Sequence, residues 1–249
     1  MVILKSKEEI ERLRESNQIV VRVLNGLRGI IEPGITTLEL DAFAEERTRE
    51  EGAIPAFKGY RSFPANLCVS INEQIVHGIP DSRRLKEGDI VSLDLGVILN
   101  GFYGDAAITV PVGKISQEAA RLLDVTEKAL YRGIERARVG GRLYDISYAI
   151  QSWVEDNGFS VVRDFVGHGI GRDLHEEPQI PNFGPPDRGI QLKAGMVLAL
   201  EPMVNVGTWR VRVESDGWTA VTVDGSLSAH FEHTIAITED SPDILSMIP

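Results

Sequence analysis

The sequence predicts an α+β fold of two similar halves, each built on antiparallel sheet with helices packed outside. Three observations carry that expectation. Apolar periodicity runs helix, helix, strands, and then helix, helix, strands again. Landmarks recur at one offset: Gly34 and Gly140 are 106 residues apart, as are Gly52 and Gly158, Leu40 and Ile146, and Ala44 and Ile150. Finally, "LKEGDIVSLD" (85–94) aligns with "LKAGMVLALE" (192–201), and each segment ends on an acid. The expected organisation is one domain over residues 1–249, with halves at about 6–112 and 113–240.

Each element has a local cause. Ser6-Lys7-Glu8-Glu9 is a capping box, and Ile10, Leu13, Val20, Leu24, Leu27 and Ile31 follow at helical spacing until Pro33-Gly34. Thr36 with Glu39 caps a second helix that carries Leu40, Phe43 and Ala44 and stops near Gly52. After a turn-rich aromatic segment, "NLCVSIN", "QIVHGIP" and "GDIVSLDLGVILNGFYGDAAITV" read as strands. A third helix is expected from about Ser116 to Ala137, and a fourth, through Ile146, Ile150 and Val154, ends at Gly158. The strands "SVVRDFV", "GMVLALEPMV", "WRVRVE", "WTAVTV" and "FEHTIAIT" complete the chain, while "NFGPPDRG" (182–189) reads as a loop.

Composition excludes several classes. A net charge of −11 argues against a broad phosphate-binding surface, so no DNA partner is expected. No apolar run reaches the length of a membrane span, and the N-terminus turns charged too early for a secretory signal. The single cysteine, Cys68, cannot form an internal disulfide, so a cytoplasmic protein is expected.

The chemistry lies in the acids and histidines. Asn100-Gly101 is a type I′ hairpin signal; with those two residues as the loop, Leu99 pairs with Phe102 and Asp94 falls opposite Ala107. Asp105 is two residues from Ala107 on the same face, so Asp94 and Asp105 are diagonal neighbours, near enough to share a cation. Without one they would repel, and one would stay protonated. The repeat makes Glu201 the counterpart of Asp94, and Glu232 stands between His230 and His233 at a strand start. Each half also holds an H-G-I histidine, His77 or His168, and "VGHGIGRDLHEEP" adds His175 among glycines and acids. Four carboxylates with one or two imidazoles suit a pair of divalent ions such as Mn, Fe, Co or Zn. They do not suit a structural zinc site, which needs thiolates.

In order and spacing, "HGIP", "DLG…GD", "GHGIGRDLHEEP", "EPMV" and "FEHT" resemble the motifs of type I methionine aminopeptidases, from about Ser6 to Thr238. The resemblance implies the pita-bread fold, whose halves are related by pseudo-two-fold symmetry, and a single catalytic domain. It implies that Asp94, Asp105, His168, Glu201 and Glu232 hold two divalent ions (Co, Mn, Fe, Zn or Ni), with Asp105 and Glu232 bridging them. A hydroxide held between the ions would attack the first peptide bond of a peptide that begins with methionine and has a small second residue. His175 would contact the scissile carbonyl, His77 would stand beside the bond and the leaving amine, and Glu201 would double as proton shuttle. An apolar pocket for the methionine would be lined by Phe57, Tyr60, Phe63, Cys68, Leu174 and Trp218. Glu176 and Glu177 are not ligands in this family.

Two residues depart from the pattern: Leu174 where an aromatic is frequent, and His230 where glutamine is. The implied substrates are nascent polypeptides and peptides with N-terminal methionine; the enzyme is expected to be a monomer, and a transient ribosome contact stays open. Xaa-Pro aminopeptidases and prolidases form the enzymatic alternative. A metal-free binding module is the other, but it predicts missing ligands, and all five positions are filled.

Overall fold

A computed structural model describes residues 2–247. The described residues form four α-helices: α1 (Lys7–Ile30), α2 (Thr37–Glu50), α3 (Gln117–Arg136) and α4 (Leu143–Asp156). Ser6 with Glu9 and Thr36 with Glu39 form reciprocal capping boxes at α1 and α2, as the sequence predicts. Both α2 and α4 are 14 residues long.

The helices pack on a nine-stranded sheet. Its path runs Ile54–Pro55, Ile90–Leu99, Phe102–Pro111, Glu232–Ala236, Val197–Leu200, Gly167–Gly169 and Glu176–Ile180, and every pairing is antiparallel. Cys68–Ile71 adds to Ile90–Leu99, and Asp243–Ile244 to Glu232–Ala236. The Asn100-Gly101 hairpin has the predicted register, with Leu99 opposite Phe102 and Asp94 opposite Ala107.

Side chains alternate across a sheet, so register decides which face each residue joins. Leu93, Leu95, Ala106 and Val110 pack with Val20, Leu24 and Leu27 of α1 and Leu40 of α2. Leu198, Leu200 and Ile235 pack with Leu122 and Leu130 of α3 and Ile146 and Ile150 of α4. Burial of each such leucine, isoleucine or valine contributes about 1.5–3 kcal/mol. One face of the sheet is thereby committed to the helices. The other is left for Asp94, Asp105, His168 and Glu232.

Several strands differ from expectation. Asp94 lies inside the ten-residue strand Ile90–Leu99, which runs on past the repeated segment that ends on this acid. "QIVHGIP" is strand only over Gln74–Val76, because His77 turns to φ +59°. "SVVRDFV" pairs only through Ser160–Val161. "GMVLALEPMV" breaks into Val197–Leu200 and Met203–Asn205 at Pro202, which has no N–H for a ladder. Within "VGHGIGRDLHEEP", where the sequence predicts no element, Gly167–Gly169 and Glu176–Ile180 pair as strands; glycine there hides the strand pattern. Among the described residues no helix is long and apolar enough to cross a membrane.

Candidate metal centre and side-chain pocket

The sheet register assembles the site. Ala107 pairs with Asp94 on one side and Glu232 on the other, and Asp105 pairs with Gly96, two residues along. His168 and Thr234 both pair with Ala199, so His168 joins the face that holds Glu232. Glu201 immediately follows the Val197–Leu200 strand.

One ligand atom each from Asp105, His168 and Glu232 lies within 4.8 Å of the others. His168 Nε2 is 3.6 Å from Glu201 Oε1 and 3.8 Å from Asp105 Oδ2. Its Nδ1 lies 2.9 Å from the Gly169 carbonyl and donates to it, which leaves the Nε2 lone pair aimed at the acids. Asp94 stands outside the tight three-residue group but lines the same pocket.

So many buried acids are costly by themselves. Burial raises Asp94 to about 7. Burial, then the charges of neighbouring carboxylates, pushes Asp105, Glu201 and Glu232 well up. Burial lowers His168 to about 4, so its ring is neutral at neutral pH. Asp94 Oδ1, Asp105 Oδ1 and Glu232 Oε1 are buried without a hydrogen-bond partner. Orphaned carboxylate oxygens facing a neutral imidazole fit divalent cations: the cations would neutralise the acids and satisfy the free lone pairs.

The site opens into a pocket of about 120 Å³ that every site residue expected from the sequence lines. The four acids and His168 line it together with His77 and His175, and so do Phe57, Tyr60, Phe63, Cys68, Leu174 and Trp218. Pockets for drug-sized ligands run to several hundred Å³, so this one suits a single side chain. Phe63 and Trp218 meet edge to face at 5.1 Å. Phe57 lies across Gly96, where a Cβ would approach its ring to 2.5 Å. The His77 ring packs edge-on to Phe165 at 5.3 Å in a left-handed turn, and the next residue must be glycine, because a Cβ on Gly78 would strike the Val69 carbonyl at 2.1 Å. Burial lowers His77 to about 4.

The His175 ring lies 4.2 Å from that of His168, and its Nδ1 is 2.8 Å from the Tyr60 hydroxyl. Burial, followed by His168, Arg61 and His77, lowers it to about 3. Arg61 also lines the pocket, which sequence reasoning missed. Its φ of +47° carries no sequence signal, since no glycine or asparagine marks the position. His230 is buried beside the site with both ring nitrogens unpartnered, its Nε2 3.7 Å from Glu201 Oε2.

The sequence pattern of metallopeptidase family M24 matches residues 11–239. A methionine aminopeptidase of Clostridium perfringens is 57% identical over 248 residues, covering 100% of both chains. The crystal structure of a Thermotoga maritima methionine aminopeptidase superposes with a TM-score of 0.98 at 48% identity, covering 100% of both chains. A prolidase from Pyrococcus furiosus shares the fold at TM-score 0.81 and 24% identity, over 99% of this chain and 66% of the prolidase.

Proposed function

Because the chain belongs to metallopeptidase family M24, we propose that it is a methionine aminopeptidase, which hydrolyses the first peptide bond of peptides and nascent proteins that begin with methionine. The observation that carries this reading is the juxtaposition of an acid–imidazole cluster with a one-side-chain apolar pocket. Full-length identity of 57% to a methionine aminopeptidase supports it over the Xaa-Pro reading, since the prolidase shares the fold alone.

Asp94, Asp105, His168, Glu201 and Glu232 would hold two divalent ions. Such ions supply a water acidified towards neutral pH and polarise a carbonyl oxygen. The protein's residues do the rest. Phe57, Phe63, Cys68, Leu174 and Trp218 take the methionine side chain and exclude water, and Tyr60 closes the wall beside them. The Tyr60 hydroxyl stands 2.8 Å from His175 Nδ1; in the tautomer that accepts its hydrogen there, His175 carries its own proton on Nε2 and donates it towards the carbonyl oxygen as charge develops. Glu201, the acid between His168 and His230, takes the proton released by the attacking water. His77 stands beside the leaving amine. The reading includes a cytoplasmic monomer acting on chains with a small second residue, and it needs no ribosome contact.

The test is hydrolysis of Met-Gly-Met and Met-Ala-Ser beside Ala-Pro-Ala, by protein stripped with chelator and resupplied with Mn, Fe or Co. Release of methionine from the first two alone is the expected result. Cleavage of the proline peptide would move the assignment to the Xaa-Pro branch, and no turnover with any metal would leave a binding module.

A further inference from the structure

Glu176 follows His175 directly and takes no part in that chemistry, yet it is among the most enclosed charges of the chain. Its side chain is 7% exposed and its Oε2 accepts from Lys5 Nζ at 2.5 Å; the Lys5 side chain is 4% exposed. The other oxygen, Oε1, accepts the backbone N–H groups of Arg172 at 2.9 Å and Asp173 at 3.4 Å. A Cβ at Gly171 would come within 2.3 Å of that oxygen and 2.5 Å of Lys5 Nζ, so the pair packs on bare backbone. Lys5 is tethered in turn, its N–H donating to the Gly195 carbonyl at 2.7 Å, one residue before the Ser6 cap of α1.

Taking two charges out of water costs more than forming an exposed ion pair, so stability alone is a weak reason for this arrangement. What the pair fixes is geometry. It closes the turn between the Gly167–Gly169 and Glu176–Ile180 strands, and that turn carries Leu174 and His175 into the pocket. We propose that Lys5 is a positioning residue: through Glu176 it sets the 171–175 turn, and with it the place of His175 at the reacting bond.

The inference rests on the methionine aminopeptidase reading, and its test separates the two. Lys5→Met is made in the full chain, alone and with His175→Ala, beside the double variant Lys5→Met/Glu176→Gln, which leaves no unpaired buried charge. Metal content, kinetics on Met-Ala-Ser and amide hydrogen exchange are measured. The expected result is unchanged metal content, with kcat and kcat/KM falling together on the order of 10²-fold, since a misplaced His175 weakens binding of the transition state rather than of the substrate. On the His175→Ala background, Lys5→Met adds little, because its effect passes through the missing ring. Exchange accelerates at 171–175 and not in α3. Equal reductions on both backgrounds, or wild-type kinetics with wild-type exchange, would overturn the inference. If the wild-type protein cleaves no methionyl peptide, the functional reading falls, and the exchange arm decides the positioning by itself: unchanged protection at 171–175 sinks it.

Discussion

Asp94 and Glu232 flank one residue: Ala107 is the cross-strand partner of both, although the two acids stand 138 positions apart in the chain. The Phe102–Pro111 strand is therefore the seam at which the acids of the first hairpin meet those of the later strands. With Asp105 diagonal to Asp94, the seam concentrates negative charge in a buried place, and its energetics follow from that.

Metal binding should stabilise the protein strongly, because it relieves this repulsion in the folded state only. A thousandfold excess over Kd is worth about 4 kcal/mol, which for a chain of this size raises Tm on the order of 10 °C. Thermal melts of chelator-stripped protein, with and without Mn or Co, check this. Asp105→Asn should bind less metal and lose most of the shift. A full shift in that variant would place the cation elsewhere.

His175→Ala should lower kcat by about 10²–10³-fold, the usual effect of losing one donor to a developing oxyanion. Metal content should stay at the wild-type level, since the His175 Nδ1 is engaged by Tyr60 and the tight acid–imidazole group of Asp105, His168 and Glu232 does not include it. Elemental analysis beside kinetics tests both halves of the statement. Loss of metal would make His175 a ligand rather than a donor to the carbonyl.

The sheet register was legible because the Asn100-Gly101 turn has a strong local signature, and one hairpin then dictates which face Asp94 and Asp105 share. Helix caps were legible for the same reason: Ser6 and Thr36 act on their own third neighbours. Roles for His77 and His175 came instead from resemblance, since nothing in spacing distinguishes a ligand histidine from a donor. What stayed hidden depends on distant partners. Arg61 enters the pocket from a left-handed position that no glycine occupies, and Lys5 meets Glu176 across 171 residues. The Gly167–Gly169 strand was invisible because its glycines show no alternation, although its pairing with Val197–Leu200 is what delivers His168.

His230 should tolerate glutamine and not leucine. Its Nε2 faces Glu201 Oε2 at 3.7 Å, with Glu201 Oε1 facing His168 on the other side. Groups that orient a ligating carboxylate typically affect metal affinity by about 10–100-fold, and a small tightening would bring His230 Nε2 into that role. His230→Gln keeps an N–H for that carboxylate, so its metal titration should match wild type, whereas His230→Leu should bind about tenfold more weakly. Equal affinity in both variants would reduce His230 to a packing residue.

Cys68 should resist alkylation in the native protein under conditions where the unfolded thiol reacts readily. Burial, then the nearby charge of Asp94, raises the thiol well above its ordinary value, and the thiolate is the reactive form. In chelator-stripped protein both causes disfavour the anion, so the native thiolate fraction at pH 8 falls below that of the unfolded chain. Cys68 pairs with Asp94 across the strands and lines the side-chain pocket, so any reagent reaching it must enter that pocket. Iodoacetamide labelling of native and urea-unfolded protein, followed by mass spectrometry from pH 7 to 10, measures the difference. Fast native labelling at pH 7 would mean the pocket admits water to Cys68, and the dry apolar wall assigned to the methionine side chain would have to be abandoned at that position.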